Sequence, residues 1–282
     1  MSRGALVITG TSSGIGRACA LRMDAAGFDV FAGVRRESDA DDLRSEASER
    51  LQPLTVDVAD SDSIVAAAGT VAKAVGDRGL AGLVNNAGIT VQGPLEFVPI
   101  EDLRRQFEVN VVGQVATIQA FLPLLRRARG RIVNMSSIGG RVANAFLGPY
   151  QSSKFALEGL TDALRKELRP WGMHVVAIEP GSVDTRMWGK GIDSGREMIE
   201  TLPHEAQERY GDQLRAVLAM AEKVAERAIP PDRVAKVVER ALTAPRPRTR
   251  YLVGPDARVQ LAIGKLLPDR AADAVEARFM GL

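Results

Sequence analysis

Short apolar segments rich in Val, Ile and Leu alternate with longer helical patterns along this chain, and this alternation constrains the fold more than any other feature. The apolar segments cover residues 5–9, 29–34, 51–56, 82–84, 131–136, 174–179 and 251–253. The helical patterns cover residues 14–26, 39–49, 62–75, 100–127, 150–169 and 232–242. Such alternation is typical of βαβ units, and continuous apolar runs indicate strands that are buried on both faces. The sequence therefore predicts one α/β domain over residues 1–282, with a doubly wound, Rossmann-type parallel sheet flanked by helices.

Residues 185–230 interrupt this alternation. The segment carries Gly189, Gly191 and Gly195 and then shows a helical pattern from about residue 205 to residue 227. A connection this long in a compact domain is usually functional, and it follows the sixth strand at the end where open α/β sheets bind ligands. We interpret residues 185–230 as a substrate lid, with a surface insertion as the alternative. Residues 255–282 are a C-terminal extension.

Composition excludes several functional classes. The chain has 37 basic and 35 acidic residues and only 5% aromatic residues, which argues against a nucleic-acid-binding protein. Its single cysteine, Cys19, cannot form an intramolecular disulfide, which favours a cytoplasmic location, and its small neighbours indicate a packed helix residue. The sequence has no run of ~20 apolar residues, so we expect no membrane-spanning helix. The histidines, His174 and His204, lack other ligands at metal-binding spacing, so we expect no metal site.

A basic stretch precedes the seventh strand. Arg246, Arg248 and Arg250 alternate there with Pro247 and Thr249. Short charge runs of this kind are usually solvated loops. We expect a solvated loop, with a phosphate or membrane contact as the less favoured alternative.

A glycine-rich turn follows the first strand directly. It reads Thr9-Gly10-Thr11-Ser12-Ser13-Gly14-Ile15-Gly16 and leads into a helix. Glycines allow a tight turn and a close approach of the backbone to a phosphate, and the helix start supplies free N–H groups at the positive end of its dipole. The spacing G-x-x-x-G-x-G departs from the usual G-x-G-x-x-G. Its position between a strand and a helix nevertheless predicts a pyrophosphate site for a dinucleotide.

The end of the second strand bears on which dinucleotide binds. An NAD site usually has an acidic residue there, which holds the ribose hydroxyl. Here the strand ends in Arg35-Arg36, and a guanidinium can bind a 2′-phosphate through paired hydrogen bonds. The sequence therefore favours NADP. NAD remains the alternative, because Glu37 or Asp39 could still reach a 2′-hydroxyl.

Tyr150 and Lys154 stand four residues apart at the start of a long helical pattern, so they share one helix face. A free tyrosine has a pKa of about 10, and a nearby ammonium group stabilises its phenolate. Such a tyrosine can donate and accept a proton. Ser136 and Ser137, at the end of the fifth strand, offer hydroxyls to a substrate oxygen. Taken alone, a Tyr–Lys pair at this spacing is more typical of a helix surface than of a catalytic site.

Five ordered motifs together resemble the short-chain dehydrogenase/reductase family. They are T-G-x-x-x-G-x-G at residues 9–16, Asn85-Asn86-Ala87-Gly88, a serine thirteen residues before the tyrosine, Y-x-x-x-K at residues 150–154, and Pro180-Gly181-Ser182-Val183-Asp184-Thr185. The resemblance covers about residues 4–254. Residues 30–36 and 150–185 look most like the hydroxysteroid and retinol dehydrogenase branch.

The resemblance implies a catalytic role for four residues. Ser137 would polarise the substrate oxygen, Tyr150 would pass the proton, and Lys154 would lower the tyrosine pKa and bind the nicotinamide ribose. Asn110 would help to hold a water in a proton relay to Lys154. The thirteen-residue spacing favours Ser137 over Ser136.

The resemblance also implies a cofactor-binding surface. Besides Gly10 to Gly16, Arg35 and Arg36, its residues would be Asp57, Val58, Asn86, Ala87, Gly88, Tyr150, Lys154, Pro180, Gly181, Val183 and Thr185. Structural alternatives remain for two outer positions: Asn85 could simply tie strands together, and Asp57 could simply cap a turn.

The substrate is the least determined element. Residues 139–149 are largely apolar and include Phe146, and the lid offers Met187, Trp188, Met198 and Ile199. An apolar pocket suits a lipophilic ketone or secondary alcohol, in contact with Ser137, Tyr150, Phe146, Met187 and Trp188. The family further implies a homodimer or homotetramer through helices 100–127 and 150–169. The alternatives are an NAD(P)-sensing protein without turnover, and an epimerase or dehydratase, which usually has a larger substrate domain.

Overall fold

Seven parallel strands form the central sheet of the computed structural model, which describes residues 2–280 and all of their side chains except those of residues 276, 279 and 280. The strands are β1 (Ala5–Ile8), β2 (Asp29–Val34), β3 (Leu51–Thr55), β4 (Gly82–Asn85), β5 (Arg131–Met135), β6 (His174–Pro180) and β7 (Arg250–Val253). They lie in the order β3-β2-β1-β4-β5-β6-β7. The strand order reverses between β1 and β4, which places a ligand-binding crevice at their carboxyl ends. The predicted doubly wound sheet is confirmed.

Eleven helices accompany the sheet within the described residues. They are α1 (Gly14–Ala25), α2 (Glu37–Glu46), α3 (Ser61–Val75), α4 (Ile100–Phe107), α5 (Gly113–Ala128), α6 (Gly148–Leu168), α7 (Arg186–Thr201), α8 (His204–Ala225), α9 (Pro231–Thr243), α10 (Pro255–Leu266) and α11 (Asp269–Met280). Apolar side chains of α1, α2 and α9 pack on one face of the sheet. Those of α3, α5 and α6 pack on the other face. The strands are therefore covered on both sides, as their continuous apolar sequences predict.

The helix predicted over residues 100–127 is interrupted. Residues Glu108–Val112 form a π-helical turn between α4 and α5. Behind this turn, Gly113 passes so close to the Val58 carbonyl that a side chain there would collide with the backbone. π-Helical turns frequently occur at functional sites, and this one carries the buried Asn110.

The same stretch, Ile100–Ala128, is long and apolar enough to cross a membrane by length and composition, contrary to the expectation from sequence. Half of its apolar window is buried within the protein. Phe121, Leu124 and Leu125 lie in the core beside α3 and the sheet. This burial is typical of a core helix of a globular domain.

The glycine-rich part of the predicted lid is helical rather than a loop. Gly189, Gly191 and Gly195 all lie within α7. Thr185 begins α7 and accepts a hydrogen bond from the Trp188 amide, and the turn at Leu202-Pro203 separates α7 from α8. The glycine clustering was therefore misleading, because capping and packing against α8 outweigh the low helix propensity of glycine. In the C-terminal extension, α11 packs against α8.

Candidate active site

The glycine-rich turn lies at the carboxyl end of β1 and is shaped by close backbone contacts. Gly10 and Gly14 have positive φ angles of 69° and 56°. A side chain at Gly16 would overlap the Gly10 carbonyl and lie 2.5 Å from the Asn86 amide nitrogen. Glycine is therefore required at Gly16 by space and favoured at Gly10 and Gly14 by conformation.

The Asn-Asn-Ala-Gly motif holds this turn in place. The Asn86 side chain donates to the carbonyls of Thr9 and Gly10, both at 3.0 Å. In return, the Thr9 hydroxyl accepts from the amides of Asn86 and Ala87, both at 3.0 Å. Asn85 instead donates to Asn134 on β5 at 3.1 Å. This bond ties β4 to β5, which is the structural alternative given above for Asn85.

The remaining residues of the turn divide into two groups. The Thr11 hydroxyl is buried and donates to the Gly33 carbonyl at 3.0 Å, so it faces β2 rather than the crevice. Ser12 and Ser13 are half-buried, and Ser13 precedes α1 without a side-chain capping bond. The hydroxyls of these two serines and the first amides of α1 are the donors that suit a phosphate at this position.

At the end of β2 the two arginines differ. Arg36 makes two 3.0 Å hydrogen bonds to the Asp39 carboxylate, and this bond holds the pKa of Asp39 below its usual value. Glu37 is paired with Arg44 at 2.8 Å. Arg35 is exposed and forms no ion pair within the described residues. Both acids that could have served an NAD ribose are therefore engaged, and Arg35 is the guanidinium that is free for a 2′-phosphate.

The predicted adenine-side residues lie beyond β3. Asp57 accepts a hydrogen bond from the Ala59 amide at 3.0 Å and is half-buried, so it caps a turn as the structural alternative proposed. The Val58 side chain is buried. The bond from Ala59 uses one Asp57 carboxylate oxygen. The other oxygen can still contact a nucleotide.

The structure brings Ser137 and Tyr150 together. Ser137 follows β5, and Tyr150 lies in the first turn of α6. The Ser137 side chain opposes the rise in the pKa of the Tyr150 phenol, and the Ser137 hydroxyl accepts from the Gly139 amide at 3.0 Å. Ser136 is buried, with its hydroxyl beside Gly140. Ser137 stays the predicted catalytic serine.

Lys154 lies beneath Tyr150 on the same face of α6. Its amine is 5.7 Å from the centre of the Tyr150 ring and donates to the Met135 carbonyl at 2.8 Å. Burial lowers the pKa of Lys154 to about 8, and the nearby Glu158 carboxylate opposes that shift. Burial raises the pKa of Tyr150, and the hydrogen bond with Ser137 opposes the rise. Ser137 therefore eases ionisation of the phenol.

Asn110 is connected to the site through backbone and hydroxyl groups. Its amide oxygen accepts from the Ile89 amide at 2.9 Å, and its nitrogen donates to the Ile89 carbonyl at 3.0 Å and to Ser153 at 3.2 Å. Ser153 in turn donates to the Tyr150 carbonyl at 2.6 Å. Both amide hydrogens of Asn110 are thereby used, so its side chain fixes the crevice wall.

Sequence analysis missed Gln106, one helical turn before Asn110. It accepts from the Val91 amide at 2.6 Å and donates to the Ile89 carbonyl at 3.0 Å. A glutamine four residues before a motif asparagine would have been the available signal. Together the two amides fix residues 89–91, which follow the Asn-Asn-Ala-Gly motif.

A buried ion network behind Lys154 was also missed. Arg250 contacts Glu158 at 2.9 Å, Asp162 at 2.8 Å and Glu179 at 3.2 Å. Arg141, just after Ser137, also pairs with Glu179 at 2.9 Å. The expectation of a solvated loop is therefore wrong for Arg250, because the three carboxylates of α6 and β6 draw its guanidinium into the fold.

The segment after β6 joins the cofactor side to the lid. Thr185 lies against Gly14, at 3.0 Å from the position of an added Cβ. Val183 is buried and forms a bridge to Ile229, at the end of the lid. Pro180 and Gly181 end β6, and Asp256 of the C-terminal extension accepts from the Ser182 amide at 2.6 Å. The contact of Thr185 with Gly14 places the end of this segment beside the glycine-rich turn.

Polar and aromatic contacts join residues 185–230 to the rest of the protein. On α8, Arg209 and Tyr210 both bond the Glu96 carboxylate, at 2.6 and 2.8 Å. Phe146, with a positive φ of 66°, meets the Tyr210 ring edge to face at 6.1 Å. These contacts connect α8 with the segments that follow β4 and β5.

The two predicted substrate residues of α7 face different ways. Met187 is 42% exposed. Trp188 is half-buried, and its indole nitrogen is buried without a hydrogen-bond partner among the described residues. Of the two, Trp188 is the better placed for a substrate.

Known proteins share both the sequence motifs and the fold of this chain. A family model described as short chain dehydrogenase matches residues 5–194. A relative named NADPH-dependent 3-dehydrocapnine reductase, from Ornithobacterium rhinotracheale, is 36% identical over 95% of this chain and 94% of its own length. Human 17-beta-hydroxysteroid dehydrogenase type 6 is 40% identical over 96% of this chain and 87% of its own. The crystal structure of a short-chain dehydrogenase from Streptomyces avermitilis superposes with a TM-score of 0.77 at 28% identity, covering 100% of this chain and 97% of that one.

Proposed function

This chain belongs to the short-chain dehydrogenase family, and from that premise we propose that it transfers hydride between NADP(H) and a lipophilic ketone or secondary alcohol. It is an oxidoreductase of alcohol and carbonyl groups, as its relatives are named dehydrogenases and reductases. The observation that carries the proposal is the position of the Lys154 amine, 5.7 Å from the centre of the Tyr150 ring, beside the Ser137 side chain that opposes the rise in the tyrosine pKa.

NADP is the cofactor that fits the residues present. The glycine-rich turn and the first amides of α1 would hold the pyrophosphate, and the unpaired Arg35 would hold the 2′-phosphate. A relative 36% identical to this chain is named an NADPH-dependent reductase. When bound, the cofactor supplies or accepts the hydride, and the protein supplies position and charge.

The residues around Tyr150 would move and stabilise the proton. Because burial raises the pKa of Tyr150, the phenol is protonated at neutral pH and is ready to donate to a substrate oxygen that becomes basic during reduction. Ser137 would donate a hydrogen bond to the same oxygen, which is electrostatic stabilisation aimed at the charged state. Lys154, held by the Met135 carbonyl, would place its ammonium near the phenol.

A lipophilic substrate agrees with the walls of the crevice. Phe146 and Tyr210 pack edge to face, and Trp188 is half-buried at the start of α7. Apolar pockets with a small polar centre select lipophilic ligands. We propose that the lid, residues 185–230, encloses such a ligand.

The discriminating experiment is a panel of ketones and alcohols of graded size, followed by nicotinamide absorbance with NADPH and NADH in parallel. Tyr150→Phe should lower turnover roughly 10²–10⁴-fold while NADPH binding persists. Tyr251→Phe is the matched control, since that hydroxyl contacts only the Arg248 amide among the described residues. Turnover of Tyr150→Phe at the wild-type rate would refute the assignment of the proton to Tyr150.

We further propose a homodimer or homotetramer in the cytoplasm. Ile100, Val112 and Phe155 are large apolar side chains of the segment 100–128 and of α6 that are 58%, 51% and 45% exposed. Exposed apolar side chains of this kind favour association. Light scattering during size-exclusion chromatography tests the oligomer, and a monomer at micromolar concentration would contradict it.

A further inference from the structure

An open cleft lies at the end of the sheet opposite Tyr150. Its volume is about 370 Å³, and it is bounded by the last turn of α6, the start of β6 and the loop before β7. β6 runs from His174 in this cleft to Pro180 at the crevice, a distance of about 20 Å at the usual rise of a strand. The cleft is therefore separate from the candidate active site.

Basic side chains dominate the lining of this cleft. Arg165, Lys166, Arg169 and Arg248 line it together with His174. Lys166, Arg169 and Arg248 form no ion pair with the side chains that the structure describes, and no carboxylate lines the cleft. Four cations at the rim of one concave surface create a positive potential that attracts anions.

Arg165 is held in place at the cleft. One of its terminal nitrogens pairs with Asp162 at 2.7 Å, and its side chain is 30% exposed. The ion pair fixes the position of a guanidinium that lines the cleft, so little freedom would be lost when that guanidinium binds an anion.

We propose that this cleft binds a phosphate-type anion, as inorganic phosphate or as the phosphate group of a larger ligand. Arginine forks match the geometry of phosphate oxygens, and lysine adds a point charge. Met173, Val175 and Pro247 form an apolar part of the lining, which accommodates the uncharged part of a phosphate ester. Arg165, Lys166 and Arg169 also lie at the C-terminal end of α6, where they stabilise the helix dipole without any ligand. The following experiments distinguish this structural role from anion binding.

His174 is a built-in reporter of the bound anion. Partial burial and the charge of Arg131 lower its pKa. An anion beside the ring favours the imidazolium, so binding should raise the His174 pKa, by about half a unit or more. The other histidine of the chain, His204, is 86% exposed on the lid and serves as an internal control.

The first test is a proton NMR titration of both imidazoles in inorganic phosphate and in sodium chloride of equal ionic strength. We expect the His174 pKa to rise with phosphate and to saturate, while the His204 resonances change equally in phosphate and in chloride. Equal behaviour of the two histidines, or no difference between phosphate and chloride, would overturn the proposal.

The second test compares two double variants that remove equal charge. Lys166→Gln/Arg248→Gln should weaken phosphate binding about tenfold or more, because it removes two cations from the cleft. Lys73→Gln/Arg246→Gln removes two exposed cations that do not line the cleft, and it should leave the affinity within about twofold. Equal weakening in both would mean attraction by net charge alone and would overturn the proposal.

The source of the phosphate is resolved by vesicle sedimentation. Vesicles of phosphatidylcholine with phosphatidic acid are compared with pure phosphatidylcholine, using wild type and the Lys166→Gln/Arg248→Gln variant. Sedimentation that needs phosphatidic acid and the two cations assigns the cleft to a lipid headgroup. Phosphate binding without sedimentation assigns it to a soluble phosphate compound, and binding of neither probe would refute the site.

Discussion

The buried ammonium of Lys154 makes the stability of this protein depend on pH in a defined direction. The side chain is 4% exposed, and burial lowers its pKa from 10.5 to about 8. At about 1.36 kcal/mol per pKa unit, that difference amounts to about 3 kcal/mol. The unfolded chain binds more protons than the folded one between pH 8 and 10.5. The free energy of unfolding therefore rises with pH in that window, and the full cost is present below pH 8.

Lys154→Met removes the titrating group while keeping most of the apolar volume. Both proteins are unfolded with urea, without cofactor, at pH values from 7 to 10.5. Over this range the free energy of unfolding of wild type should rise by about 3 kcal/mol relative to that of the variant. Changes in packing, and the lost hydrogen bond to the Met135 carbonyl, are the same at every pH and cancel in this comparison.

Lys73→Met is the control, since Lys73 is exposed on α3, and its difference from wild type should stay level with pH. A level difference for Lys154→Met as well, or a slope of opposite sign, would refute the claim that Lys154 is charged and buried at neutral pH. The same variant should lack turnover, so the residue that costs stability is the one that the chemistry requires.

Two further predictions concern the cofactor and the ion network. Arg35→Ala should weaken NADPH binding about 10-fold or more relative to NADH in fluorescence titrations, whereas Arg36→Ala, which frees Asp39 from its ion pair, should change that ratio less; equal effects would argue against Arg35 as the phosphate ligand. Glu158→Gln removes the carboxylate that raises the pKa of Lys154, so the alkaline limb of the kcat/KM profile should move to lower pH. An alkaline limb at the wild-type pH would show that Glu158 does not affect the pKa of Lys154.

The sheet and the glycine-rich turn were predictable because local sequence determines them. Continuous apolar strands indicate burial on both faces of a sheet, and glycines at a strand–helix junction indicate a tight turn. The pairing of Ser137 with Tyr150 was predictable only through the family resemblance, because the twelve residues between them carry no distance information by themselves.

The features that sequence missed depend on contacts between distant segments. The π-helical turn at Glu108–Val112 has no composition signature, and the glycines of α7 resemble a loop until α8 packs against them. The different states of Arg35 and Arg36 depend on which one reaches Asp39. The same holds for Arg250, whose partners lie about 70 to 90 positions earlier in the chain.

The Arg250 network has a consequence for synthesis on the ribosome. Glu158 is a buried carboxylate whose ion-pair partner, Arg250, is delivered by the seventh strand, whereas Glu179 has a second partner in Arg141. A nascent chain that ends before this strand must leave the Glu158 charge hydrated or protonated, because burying it unpaired is strongly unfavourable. The helix that bears Tyr150 and Lys154 can therefore settle only after the seventh strand has emerged, so chaperones should encounter the amino-terminal half folded and the catalytic helix still loose.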